Sequence, residues 1–295
     1  MPELPEVETV RAGLEPLLRG RRFRRVEQRR KDLRFPLPDR FVERLTGAKV
    51  LRVDRRAKYL VLPLDSGEVL AMHLGMTGRF TVSAPGGANG RVLGEYTYEH
   101  GGDATHDHVV FTMTGGAIVT YNDARRFGYM TLIAADELAS NAFFAGLGVE
   151  PLSDELSGAY LAAKARSRKL DLKALLMDQR IVAGLGNIYV CEALFRAGLD
   201  PFKGAARLAT KTGKPTAHAK RLAAEIKAVL RDAIRAGGST LRDYKQADGS
   251  SGSFQKELGA YGREGEPCSR PGCRGIVRRK TQGWRSTFWC PACQR

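Results

Sequence analysis

The sequence predicts an α+β protein: an N-terminal antiparallel β-sandwich with a leading helix, then a helical C-terminal domain ending in a small cysteine-bearing β-hairpin. Three observations predict it. From about Phe23 to Ile133 the apolar residues fall in short strand-like runs separated by turn residues. After about Ala134 helical spacing takes over. Four of the five cysteines then crowd between Cys268 and Cys293.

The first element is a helix from Pro5 to Arg19. Val7, Val10, Leu14, Leu17 and Leu18 repeat at helical spacing, Glu6 and Glu8 suit its positive end, and Gly20 stops it. Strands follow at Tyr59 to Leu64, Val69 to His73, His108 to Met113 and Ala117 to Tyr121, and consecutive short strands argue for a sandwich or barrel. The basic run Arg19 to Arg34 holds nine Arg or Lys and reads as a solvated edge. The glycine-rich stretch Ser83 to Gly102 reads as a surface excursion. Helices are expected at Ala159 to Ala165, Leu170 to Met177, Ile188 to Ala197 and Ala219 to Ala236, with a polar loop at Gln246 to Phe254. The domains expected from these shifts are 1–135 (sandwich), 136–157 (linker), 158–262 (helical) and 263–295 (cysteine hairpin).

Composition narrows the partners. The 295 residues carry 48 Lys plus Arg against 32 Asp plus Glu, a formal charge of +16. Such an excess concentrates polyanions at the surface, so nucleic acid is the expected partner, with an acidic membrane surface second. No apolar run approaches the ~20 residues of a membrane helix, and the start MPELPEVETV has no secretory signal pattern. A cytoplasmic protein is expected, with its cysteines reduced.

Cys268 and Cys273, then Cys290 and Cys293, form two knuckles around a hairpin-length span. Their spacing suits one tetrahedral Zn²⁺ with all four positions filled by protein, hence structural rather than catalytic. Two disulfides, or reduced cysteines filling a small core, are the alternatives. The span is expected to turn at Gln282-Gly283, with Arg285 near the tip and able to meet a phosphate.

At the other end, a small Pro2 after Met1 is the context in which the initiator methionine is removed. The exposed secondary amine, beside Glu3 and Glu6, has the parts of a Schiff-base nucleophile with an acid/base partner. Equally, Pro and Glu are what any helix start prefers. Gly184-Leu185-Gly186-Asn187 either brings backbone amides to a phosphate at a helix start or makes a plain corner between helices.

MPELPEVETV, the GLGNIY turn at 184–189 and the four-cysteine finger together resemble the formamidopyrimidine-DNA glycosylase (MutM) family. RRAKYL at 55–60, HLGM at 73–76, RRFG at 125–128 and EALFRAG at 192–198 follow in the family's order, so the likeness runs from the first residue to the last. The resemblance implies a bifunctional DNA glycosylase and abasic-site lyase acting on double-stranded DNA with an oxidised purine or an abasic site. Pro2 would attack the sugar C1′ and Glu3 would serve as acid/base, with Glu6 in support and Lys58 binding phosphate. Met76, Arg125 and Phe127 match the residues that fill the stack when a nucleotide flips out. Asn187, Tyr261 and Arg285 match phosphate ligands, Asn187 within a helix–two-turns–helix element, and His73 matches a position near the DNA backbone. On composition alone Met76 and Phe127 would be core residues and Lys58 an exposed strand lysine. The polar loop falls where the family caps the lesion. The protein is expected to work as a monomer at the bacterial nucleoid.

Three departures stand out: the longer knuckle CSRPGC, Asp-Ala rather than Asp-Pro before RRFG, and the long excursion near 83–102. None touches Pro2, Glu3 or Lys58. The rival readings are an endonuclease VIII-like glycosylase for oxidised pyrimidines and a noncatalytic zinc-finger DNA-binding protein. The PELPEVET start and the Met76/Arg125/Phe127 set argue against the first, and the Pro2-Glu3 start against the second.

Overall fold

The computed structural model describes residues 2–83, 91–93, 103–166, 168–239 and 254–295. Most of the glycine-rich excursion, and the polar loop before Phe254, lie outside these residues. The chain divides into two compact units, Met1–Ala145 with Ala236–Gln255, and Gly146–Arg235 with Lys256–Arg295.

The first unit opens with α1 (Leu4–Leu18), whose buried stripe of Val7, Val10, Leu14 and Leu18 is the one its periodicity requires. There follow β1 (Phe23–Gln28), α2 (Phe41–Leu45), β2 (Asp54–Arg56), β3 (Tyr59–Pro63), β4 (Glu68–His73), β5 (Arg79–Ser83), β6 (Arg91–Leu93), β7 (Asp107–Met113), β8 (Ile118–Asn122) and β9 (Tyr129–Ala134). They make two antiparallel sheets, ordered β1-β7-β8-β5-β6 and β2-β3-β4-β9. Leu60, Leu62, Leu70, Met72, Met130 and Leu132 of one sheet share a single core with Phe23, Phe80, Phe111, Val119 and Tyr121 of the other, and the α1 stripe joins them. This is the sandwich the alternation predicts.

Within the basic run the structure adds a strand. β1 lies at a sheet edge, and an irregularity in its pairing with β7 between Phe23 and Arg25 turns Phe23 and Val26 inward, three apart, while Arg24 and Arg25 stay exposed. The shift breaks the two-residue period, so the run reads as charge alone.

The second unit holds α3 (Gly158–Ala165), α4 (Leu172–Met177), α5 (Asn187–Ala197) and α6 (Ala217–Arg235), then the hairpin β10 (Arg278–Gln282) and β11 (Arg285–Trp289). Ser157 and Asp171 cap α3 and α4 by accepting from the backbones of Tyr160 and Ala174. α5 is buried along nearly its whole length and packs against α4, α6 and β11. The hairpin turns at Gly283-Trp284, one residue beyond the turn expected from sequence. Among the described residues no helix is long and apolar enough to cross a membrane.

Candidate functional site

Pro2 and Glu3 are both buried at the head of α1. Glu3 caps the helix reciprocally with Glu6: its carboxylate accepts from the Glu6 backbone, and Glu6 Oε2 accepts the Glu3 N–H at 2.9 Å. Glu6 Oε1 accepts the Ser239 N–H at 2.8 Å and the Ser239 hydroxyl at 3.1 Å. A buried carboxylate is costly without partners. Here several donors satisfy the carboxylate oxygens and fix the backbone that carries Pro2. Ser239, just past the Gly237-Gly238 pair, carries no signal in sequence.

Lys58 lies in the two-residue turn between β2 and β3, beside Ala57 at a φ of 52°, and is buried rather than exposed on a strand. Arg55 braces this turn, donating to Glu8 at 2.9 Å and to the Ala57 carbonyl at 2.9 Å. Across the sheet, Tyr59, His73 and Tyr129 occupy one row of β3, β4 and β9. The His73 ring stacks on Tyr129 with centroids 5.2 Å apart, and the two phenols share a 2.6 Å hydrogen bond. His73 Nδ1 accepts the Gly75 N–H at 3.0 Å. Burial, then the positive charges of Lys58 and Arg34, push the imidazole down to about 4, so it is neutral at physiological pH.

Met76, Arg125 and Phe127 sit on two adjoining turns. The turns touch backbone to backbone: a Cβ on Gly75, whose φ is +63°, would meet Phe127 and Gly128 main-chain atoms at 2.3 Å. Asp123, wholly buried, binds both. It accepts the Thr77 hydroxyl on one oxygen, and on the other the Tyr121 hydroxyl at 3.1 Å and the Gly128 N–H at 2.8 Å. Phe127 is 41% exposed, with the Arg125 guanidinium 4.7 Å above its ring, and Met76 is half-buried. An exposed Phe under an Arg is not a core arrangement. It leaves an apolar wedge and a hydrogen-bonding fork side by side.

In the second unit the GLGN turn is built around Gln179, which accepts the Gly184 N–H at 2.9 Å and donates to the Leu185 carbonyl at 2.7 Å. Asn187 opens α5, buried, and donates to the Ser286 carbonyl at 2.9 Å. The buried Lys173 ammonium donates to the Thr287 hydroxyl at 2.6 Å. These two bonds hold the strand that begins with Arg285, itself exposed beside a cleft of about 550 Å³ that Arg180 and Lys173 also line. Tyr261 is set by Glu192, a buried carboxylate accepting three consecutive N–H groups, Gly259 at 2.8 Å, Ala260 at 2.9 Å and Tyr261 at 2.7 Å.

The four cysteine sulfurs lie within 4.8 Å of one another, with Cys268–Cys293 at 3.8 Å and Cys273–Cys290 at 3.7 Å. Disulfide sulfurs stand at about 2.05 Å, whereas two ligands of a tetrahedral Zn²⁺ at about 2.3 Å stand about 3.8 Å apart. Burial and the neighbouring sulfurs push the Cys293 thiol up, so four thiolates here call for a cation. The donor set and spacing fit a metal ion.

The structure thus gathers Met76, Arg125 and Phe127 on adjoining turns, and brings Asn187 against the strand carrying Arg285. Sequence reasoning missed Ser239, Asp123, Gln179 and Lys173 as positioning residues. Asp123 and Glu192 lay beside or within the quoted strings, but Thr77 comes to Asp123, and Gly259 to Tyr261 come to Glu192, from elsewhere in the chain.

Comparison with known proteins gives a consistent picture. The model of the formamidopyrimidine-DNA glycosylase N-terminal domain matches residues 1–130, and that of the formamidopyrimidine-DNA glycosylase H2TH domain matches residues 147–245. A formamidopyrimidine-DNA glycosylase of Bradyrhizobium sp. (strain ORS 278) is 55% identical over 295 residues, covering 100% of both chains. The crystal structure of the MutM (Fpg) protein from Thermus thermophilus superposes with a TM-score of 0.79 at 37% identity, over 99% of this chain and 98% of that one. The Lactococcus lactis Fpg in complex with abasic-site DNA gives 0.81 at 31% identity over 100% of both chains. A mutant of that enzyme with Fapy-dG-containing DNA gives 0.82 at 31%, with the same coverage.

Proposed function

The chain belongs to the formamidopyrimidine-DNA glycosylase family, and from that premise we propose that it excises oxidised purines, 8-oxoguanine and formamidopyrimidines, from duplex DNA with Pro2 as nucleophile. The observation that carries this reading is the buried Pro2-Glu3 start, held by Glu6 and Ser239. Once Met1 is removed, the lone pair of the Pro2 nitrogen forms a bond to C1′. The C1′–N bond to the damaged base breaks, and the base leaves with a proton. Glu3, at the same helix head, donates a proton to the ring oxygen as the sugar opens, giving an iminium ion. Loss of a C2′ proton then expels the 3′ phosphate, and a second elimination expels the 5′ phosphate, which leaves a one-nucleotide gap.

Lys58 neutralises a phosphate of the reacting nucleotide. Met76, Arg125 and Phe127 fill the stack it vacates, and two matched turns are the right support for an inserted wedge. Asn187, Tyr261 and Arg285 bind phosphates flanking the lesion, and His73 lies near the backbone. The metal is one structural Zn²⁺ on Cys268, Cys273, Cys290 and Cys293, with no open position for chemistry. The functional domains are the sandwich at 1–135, a linker at 136–157, the helical DNA-binding domain at 158–262 and the finger at 263–295. The place of action is the bacterial cytoplasm.

Borohydride trapping tests the reading. Purified protein lacking Met1, offered a duplex with 8-oxoguanine opposite cytosine, is expected to form a stable adduct that maps to Pro2, and Pro2→Gly is expected to form none. DNA binding with neither adduct nor strand cleavage would instead favour the noncatalytic zinc-finger reading. Faster turnover of an oxidised pyrimidine would favour the endonuclease VIII-like one.

A further inference from the structure

At the end of the finger hairpin stands a residue that none of the described residues covers. Gln282 pairs with Arg285, and the two residues between them, Gly283 and Trp284, have φ of 55° and 63°. A two-residue turn with both φ positive is normally built from Asn and Gly, because a bulky side chain is disfavoured there. Trp284 is nonetheless in this conformation, and its side chain is 100% exposed. It buries no surface against the described residues, so neither turn chemistry nor packing among them explains an indole at this position. A strained and wholly solvated aromatic points to a ligand outside the chain.

The surroundings say which ligand. Arg285 follows directly, Arg278, Arg279 and Lys280 are exposed along β10, and a polyanion is the complementary partner. The turn is also held rigidly. Thr287 donates to Gln282 at 2.9 Å and accepts from Lys173, Gln282 donates to the Pro201 carbonyl at 3.3 Å, and Asn187 holds Ser286. A turn so fixed loses little entropy on contact. Both faces are free for a flat π-surface, and nucleobases offer one in every sequence.

We infer that Trp284 is a DNA-contact residue that stacks on an unstacked nucleobase of the strand whose phosphate Arg285 takes. The inference rests on the functional reading above and adds a contact specific to DNA whose stacking is interrupted. Such a contact favours abasic or gapped duplex over fully paired duplex.

The test uses Trp289→Phe, which leaves Trp284 as the single tryptophan, titrated with duplex containing an abasic-site analogue. Trp284 fluorescence is expected to be quenched on binding, and the indole to become protected from iodide. Trp284→Ala in the wild-type background is expected to weaken the abasic-duplex Kd about tenfold, and the paired-duplex Kd by much less. Trp284→Phe is expected to restore most of the difference. Zinc content and melting temperature should match wild type in each variant. Tight binding with iodide access unchanged, or an equal loss on both duplexes, would overturn the stacking role while leaving the functional reading standing. Failure of the wild-type protein to bind either duplex would remove that reading and this inference together.

Discussion

Glu6 and Ser239 meet through one carboxylate oxygen, which accepts both the backbone N–H, at 2.8 Å, and the hydroxyl of a residue 233 positions away. The other oxygen of Glu6 holds the Glu3 backbone. The head of α1 is therefore fastened to a distant segment through the Glu6 side chain. Glu6→Gln replaces one acceptor oxygen by an NH₂ group and must leave a buried donor unpaired, a cost of about 1–3 kcal/mol. Melting temperature should fall accordingly, and single-turnover adduct formation should slow because Pro2 loses its fixed backbone. Ser239→Ala keeps the N–H bond and should do much less to either. A Glu6→Gln protein that traps DNA at the wild-type rate would separate this contact from the chemistry.

Asp123 predicts a different phenotype. Its carboxylate joins the Met76 turn to the Arg125–Phe127 turn through Thr77, Tyr121 and Gly128. Asp123→Ala strands a buried N–H and is expected to destabilise the first unit by about 2–3 kcal/mol. Because the two turns then move independently, affinity for abasic duplex should fall more than affinity for undamaged duplex. Calorimetry and paired titrations read the two effects. Equal losses on both duplexes would mean that Asp123 supports the sheet and not the wedge.

These two carboxylates also mark where sequence reading stops. The helix α1 was legible because its apolar spacing is local, and the strands β3, β4, β7 and β8 because alternation is local. The four cysteines were legible because ligand spacing is itself a geometric constraint. Composition alone would make Lys58 an exposed strand residue, but the tight turn after Arg56 buries it, and turn geometry around Ala57 has no glycine or asparagine to announce it. Composition alone would make Phe127 a core residue, yet it is exposed, since hydrophobicity cannot tell a wedge from a packed ring. Glu192 acts through backbone groups of a remote segment, Asp123 through the hydroxyl of the remote Thr77, and Ser239 by offering its own N–H to the remote Glu6 carboxylate. Any residue but proline supplies a backbone N–H, so such a partner leaves no trace in the sequence.

The neutral His73 predicts a pH dependence with a definite sign. Its folded value, about 4, lies below the 6.5 of an ordinary histidine. Between these values the unfolded chain binds a proton that the folded chain refuses, so stability falls as pH drops through that window. Above pH 6.5 the contribution is complete, and near pH 4 it is gone. Protonation would also remove the Nδ1 acceptor from Gly75, beside Met76. His73→Phe retains a ring against Tyr129 but cannot titrate. Urea midpoints taken from pH 7 to pH 4 should show wild type ahead at neutral pH and the gap closing as the buffer is acidified. A gap that stays constant would mean His73 is not the titrating group.

Metal removal tests the finger itself. Among the described residues the cluster under the hairpin buries Phe195, Ala260, Val277 and Phe288 besides Cys268 and Cys290, with Tyr261 packed against it, too little apolar surface to order the segment alone. Structural Zn²⁺ contributes about 10–16 kcal/mol in isolated fingers, so chelation should unfold the hairpin while the sandwich, with its separate core, stays intact. Elemental analysis should find one zinc per chain. After chelation, amide exchange should rise at Arg285–Trp289 and remain slow at Glu68–His73. DNA affinity should drop, because Arg285 is aimed only while β11 is held by Lys173 and Asn187. Cys293→Ser should reproduce the exchange pattern without chelator. Slow exchange throughout the hairpin in zinc-free protein would mean that Lys173 and Asn187 suffice to hold it, and that the metal is dispensable for the fold.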